Sequence, residues 1–158
     1  MGYSGERTNV WQRQFNSRSS RAKLAALLVA NFGAGAYLLT LTYQAGALVP
    51  SDRLAGLQIS DWLRAARRAS CPPLRYVRAT RRDAAGRYPI HRIVTTQSET
   101  TVDALAGLWQ YGPVAVEPAP MDDIAALVDD LVGPSVRNEQ KAAPSRRTWT
   151  ASFGLIRL

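Results

Sequence analysis

The chain has 158 residues, 46% of them apolar, 20% charged and 8% aromatic, which suits one compact domain with its own core and leaves little room for two. One cysteine, Cys71, excludes an intramolecular disulfide framework or a multi-cysteine zinc site, and one histidine, His91, excludes any scheme that needs two imidazoles. Twenty basic residues against twelve acidic ones leave a net charge of +8, and all but two of the basic residues are arginine, the planar cation suited to phosphate recognition.

Residues 1–16 are polar with scattered aromatics (Tyr3, Trp11, Phe15) and read as an arm preceding a domain over 17–158. From Leu24 to Pro50 no charged residue occurs, a run long enough for a membrane-spanning helix. Asn31-Phe32-Gly33-Ala34-Gly35 breaks that run with residues that end helices, and the stretch after it is rich in β formers with alternating character. The pattern predicts a helix over about Ser19–Asn31, a turn and a strand over about Ala36–Tyr43, and argues against both a membrane span and a secretory signal.

Ser51 is placed to cap a helix running to about Arg68, with Leu54, Leu57, Trp62, Leu63, Ala65 and Ala66 at loosely helical spacing. Arg64, Arg67 and Arg68 crowd its last turn, where the helix dipole alone favours cations. Cys71-Pro72-Pro73 forces an extended break. Two β-rich runs, Leu74–Thr80 and Tyr88–Thr95, flank a Gly-containing connection and read as a hairpin carrying Arg81, Arg87 and Arg92. These three arginines fit either phosphate contacts or a charged edge that discourages aggregation.

Further on, Thr100 or Thr101 caps a predicted helix over Val102–Leu108, and Trp109–Pro113 turns the chain into a strand near Val114–Glu117. A helix is predicted over Met121–Leu131, ended by Gly133-Pro134. Residues 135–146 read as loop, and the tail brings Arg146, Arg147 and Trp149. The order of elements predicts a single α+β domain with a mainly antiparallel sheet.

Charge falls in blocks along this order. Residues 1–98 hold 15 basic and 4 acidic side chains, residues 99–136 hold 7 acidic and no basic ones, and residues 137–158 are again basic. Basic blocks interleaved with Trp62, Tyr76, Tyr88 and Trp149 resemble stacking surfaces for single strands.

Taken in order, the segments from about Ser17 to Leu155 resemble the rolling-circle replication initiators of phages and plasmids, the HUH endonuclease family. The carriers are Thr40-Leu41-Thr42-Tyr43 at the end of an apolar strand, Gly86-Arg87-Tyr88-Pro89-Ile90-His91, the block Trp109-Gln110-Tyr111-Gly112, and the tail from Arg146 to Ser152. The resemblance implies an antiparallel sheet with helices packed on it and single-stranded or hairpin DNA as partner. It also implies a divalent cation, magnesium or manganese, held by two histidines and an acidic residue, and a tyrosine that attacks the scissile phosphate.

This sequence departs from that pattern. Pro89 stands at the first histidine position, which leaves His91 as a vestigial ligand position; Arg81 stands at the acidic one, and Asp130 stands about where the tyrosine would be. The expectation is therefore a cytoplasmic mobile-element protein that binds nucleic acid without cutting it and uses no metal. Arg64, Arg67, Arg68, Arg81, Arg87, Arg92, Arg146, Arg147 and Trp149 are its candidate contacts. Two alternatives stay open: a phage counter-defence (anti-CRISPR-type) inhibitor of a host nucleoprotein complex, and an active initiator with a non-standard site.

Overall fold

The computed structural model describes residues 10–70, 74–134, 149–152 and 155. Four helices and five strands alternate along the chain: α1 Val10–Asn31, β1 Tyr37–Leu41, α2 Asp52–Ala69, β2 Tyr76–Arg82, β3 Pro89–Thr95, α3 Glu99–Ala106, β4 Val114–Pro118, α4 Ile124–Val132 and β5 Trp149–Ala151. The strands form one antiparallel sheet in the order β4-β1-β3-β2-β5. The first strand pairs with the second arm of the predicted hairpin, Leu41 opposite His91 and Leu39 opposite Ile93.

Alternation along the strands sends side chains to two separate cores. On one face Leu38, Val77, Ala79 and Val94 meet Leu24, Leu27 and Leu28 of α1 and Leu127, Val128 and Leu131 of α4. On the other, Leu39, Leu41, Tyr76 and Ile93 meet Ile59, Trp62, Leu63 and Ala66 of α2 and Val102 and Leu105 of α3. The result is a three-layer α+β domain with helices on both faces of the sheet. Trp62 donates its Nε1–H to the Leu105 carbonyl at 3.0 Å, tying the two helices of the second layer together.

The uncharged run of the first third is split as the sequence predicts. α1 stops at Asn31, Gly35 takes a positive φ of 98° in the turn, and β1 follows. No described helix is long and apolar enough to cross a membrane.

Several boundaries differ from expectation. α1 begins at Val10, so residues 10–16 of the predicted arm are helical. In α2 the cap is Ser51, whose Oγ accepts the Leu54 N–H at 3.1 Å, but Leu54 and Leu57 face solvent and Ala55 and Ile59 turn inward instead. Buried Trp62, Leu63 and Ala66 set the inward stripe, and i−3/i−4 spacing from them selects Ile59 and Ala55. α3 is capped by Ser98 rather than Thr100 or Thr101, and α4 is capped by Asp123 and starts at Ile124 rather than at the predicted Met121. The Cys71-Pro72-Pro73 break and the 135–146 loop lie outside the described residues.

Candidate nucleic-acid interface

β2 and β3 distribute the hairpin arginines by parity. Tyr76, Arg78, Thr80 and Arg82 share the α2/α3 face with Pro89 and His91, whereas Val77, Ala79 and Arg81 share the α1/α4 face with Arg92. The three arginines expected to act together therefore separate. Arg81 and Arg92 sit side by side on the α1/α4 face, where burial, then Arg81, lowers the Arg92 pKa. One nitrogen of each, Arg81 Nε and Arg92 Nη1, is buried without a hydrogen-bond partner. Arg87 occupies the hairpin loop, its guanidinium 5.4 Å from the centre of the Tyr88 ring.

The hairpin turn is held by Asp83, whose Oδ1 accepts the Arg87 N–H at 2.8 Å, and by Gly86, whose φ of 74° suits a residue without a Cβ. That backbone bond, with lesser ones from neighbouring residues, holds the Asp83 carboxyl below its usual range.

His91 is 1% exposed. Its Nδ1 lies 2.7 Å from Thr80 Oγ1 and its Nε2 lies 3.0 Å from the Tyr43 hydroxyl, which in turn donates to Gln58 Oε1 at 2.8 Å. One assignment satisfies every group: Thr80 O–H to Nδ1, Nε2–H to Tyr43 Oη, and Tyr43 O–H to Gln58. Burial, and to a lesser degree Arg78, pushes the His91 pKa down to about 4, so the ring is neutral at pH 7. Burial likewise pushes Tyr43 up to about 12, with Tyr111 adding to it.

Trp109 closes this cluster edge-on, 5.5 Å from both Tyr43 and His91, and donates its Nε1–H to the Thr42 carbonyl at 2.7 Å. Gly112 makes the approach possible: a Cβ there would lie 2.5 Å from the Thr42 carbonyl oxygen.

These residues do not fit a divalent cation of the kind the resembled family uses. Pro89 offers no donor, Thr80 and Tyr43 occupy both His91 nitrogens, and Arg78 and Arg82 stand on the same face. Among the described residues no group of three His, Cys, Asp or Glu side chains comes together. Arg81, expected beside His91, points to the opposite face; its neighbour Thr80 makes that contact instead. The helix expected to carry a nucleophile, α4, also packs on the α1/α4 face, so Asp130 lies across the sheet from His91.

A cleft of about 340 Å³ opens over His91 between the first half of α2 and the hairpin. Arg78, Thr80, Arg82 and Asp52 supply its polar wall, and Ala55, Ile59 and Pro89 its apolar one. Arg82 is paired with Asp52. Arg78 is half-buried and makes no hydrogen bond or ion pair with a described residue; burial, against a smaller opposing effect of Tyr76, lowers its pKa. Sequence reading missed both residues of this pair, although their i, i+2 spacing from Thr80 on a strand already placed them together.

The remaining expected contacts divide clearly. Arg64, Arg67 and Arg68 are exposed on α2. Arg64 pairs with Asp61 at 3.0 Å, and Arg67 donates to the Tyr76 hydroxyl at 2.7 Å while lying over its ring. Trp149 is 3% exposed, packed in the α1/α4 core with its Nε1–H on Ser20 Oγ, so its ring presents no free face to a base. Trp62 and Tyr76, also read as stacking residues, are core as well. Arg146 and Arg147 lie outside the described residues.

Compared with known proteins, the chain matches no family model, no curated protein and no solved structure.

Proposed function

We propose that this protein binds single-stranded or hairpin DNA through its phosphates and does not cut it, on a degenerate replication-initiator-like scaffold. One observation carries the reading. Residues 51–92, which form α2 and the β2–β3 hairpin, hold ten arginines against three aspartates, and all three aspartates are engaged. Asp52 pairs with Arg82, Asp61 with Arg64, and Asp83 with the backbone N–H of Arg87. Within residues 51–92 no further carboxylate remains to offset the excess positive charge, although Arg92 has Asp130 and Glu117 of other elements near it, and a polyanion is the partner that such a surface attracts. The engagement of both His91 nitrogens and the proline at position 89 support holding rather than hydrolysis.

The experiment is fluorescence anisotropy with a labelled single strand across a salt series. The logarithm of the affinity falls linearly with the logarithm of salt, with a slope of about −0.7 per phosphate contact. Replacing Arg64, Arg68 and Arg87 together by alanine flattens that slope, and the strand is recovered intact on a denaturing gel with magnesium or manganese present. Affinity indifferent to salt would refute the binding, and a shortened strand would refute the absence of cutting.

A further inference from the structure

We infer that the cleft over His91 is a binding site for a phosphate group carried on a nucleoside, anchored by the guanidinium of Arg78. The class of anion rests on the nucleic-acid reading; the site itself rests on geometry. Arg78 is half-buried on the sheet, a costly place for a cation, and no described residue supplies an acceptor. The acidic side chain of the cleft, Asp52, is taken by Arg82. Arg78, with five donors on its fork, therefore lines a cleft whose charge is uncompensated.

A planar guanidinium of this kind fits two oxygens of a phosphate side by side. The 340 Å³ volume lies at the small end of the ~300–1,000 Å³ range of ligand sites and exceeds what one phosphate fills. Ala55, Ile59 and Pro89 give the remainder of the ligand an apolar wall. His91 does not contact the anion through a free nitrogen, since both are bonded, but it forms part of the cleft wall and so reports on its occupant.

Gly56 supplies an independent handle. It lines the cleft, and a Cβ at this helical position meets no atom within 4 Å, so a side chain there is tolerated by the fold while occupying space the ligand needs.

The test uses the full chain and the imidazole NMR signals of its one histidine. The probes are thymidine 5′-monophosphate, inorganic phosphate, and one oligonucleotide with either a 5′-phosphate or a 5′-hydroxyl. An anion in the cleft stabilises the imidazolium, so saturable binding moves the His91 signals and raises its pKa. Arg78→Gln weakens the mononucleotide at least about tenfold without changing the unfolding midpoint much, because its guanidinium has no internal partner to lose. Gly56→Met abolishes the shift.

A response to the 5′-phosphorylated strand over its hydroxyl counterpart assigns the phosphate to a strand end, an equal response assigns it to the strand interior, and a response to the mononucleotide alone assigns it to a free nucleotide. Each of these supports the site. If no probe moves His91, or if Arg78→Gln and Gly56→Met both bind as the parent does, the site is overturned. Salt-dependent strand binding that survives in Gly56→Met with a silent His91 would leave the function proposed above standing and remove the cleft from it. A mononucleotide response in a protein that binds no strand would do the reverse.

Discussion

The two faces of the sheet are built from the same strands yet hold different chemistry. Toward α1 and α4 the strands present Leu38, Val77, Ala79 and Val94 to aliphatic helices, and the aromatics Phe32 and Trp149 are buried among them. Toward α2 and α3 they present Leu39, Leu41 and Ile93, but also a histidine and a threonine, joined in one hydrogen-bonded chain with Tyr43 just beyond β1. Cations lie on both sides, and each side holds paired ones and one or more without a full set of partners. On the α1/α4 side Arg21 pairs with Asp129 and donates to the Gly133 carbonyl, and Arg92 has Asp130 and Glu117 near it. On the α2/α3 side Arg82 pairs with Asp52 and Arg64 with Asp61, whereas Arg78 pairs with no described carboxylate. The difference is one of access: the unpartnered nitrogens of Arg81 and Arg92 are buried, whereas Arg78 lines an open cleft where a ligand finds something to bind.

The largest effect that would sharpen this contrast belongs to the closed face. Trp149→Ala removes a buried indole and costs about 3–5 kcal/mol in a urea unfolding experiment. A loss below about 1 kcal/mol would mean that the indole is not packed as described, and would reopen it as a stacking residue.

The second effect belongs to the polar face and appears as pH dependence. His91 titrates near 4 in the folded protein, against 6.5 in its unperturbed form. The unfolded chain therefore takes up a proton that the native state refuses. Stability is full above about pH 6.5 and falls as the pH drops toward 4, by up to about 3 kcal/mol. His91→Gln, followed by urea unfolding at a series of pH values, removes that part of the slope; an unchanged slope would show that the imidazole is not held neutral. Trp149→Ala leaves the slope intact.

Most of the fold was legible in the sequence because alternation and capping are local. The order of elements, the hairpin, the Ser51 cap and the break at Asn31–Gly35 all follow from neighbours within a few residues. The site was less legible, because which face a strand residue occupies depends on register. Arg78 and Arg81 are chemically alike three positions apart, and only the pairing of Thr80 with His91 decides that the first lies over the cleft and the second does not. Trp149 was misread for a related reason: an aromatic beside two arginines looks the same in sequence whether it stacks on a base or fills a core.

Two smaller effects test the polar face at its edges. Gly112→Ala drives a Cβ into the backbone at Thr42–Gln44 and costs about 1–3 kcal/mol, loosening Trp109 against His91. A thermal melt with tryptophan fluorescence reads both consequences, and an unshifted melt would rule out the close approach. Gly56→Ala works in the opposite direction. It meets open space on an exposed helical position and stabilises the protein by about 0.5–1 kcal/mol in the same assay. Destabilisation there would mean that the cleft wall is more crowded than described.

The sheet order carries a kinetic consequence. β1 lies between β3 and β4, both of which come much later in the chain. During synthesis the segment Tyr-Leu-Leu-Thr-Leu leaves the ribosome with both edges unpaired, and its first partner is complete only with Thr95, on the order of 3–10 s later at ordinary elongation rates. The hairpin of β2 and β3 closes on itself within microseconds once made. The chain thus assembles around a strand that must wait for its neighbours, and the interval before β3 arrives is when misassembly competes with folding.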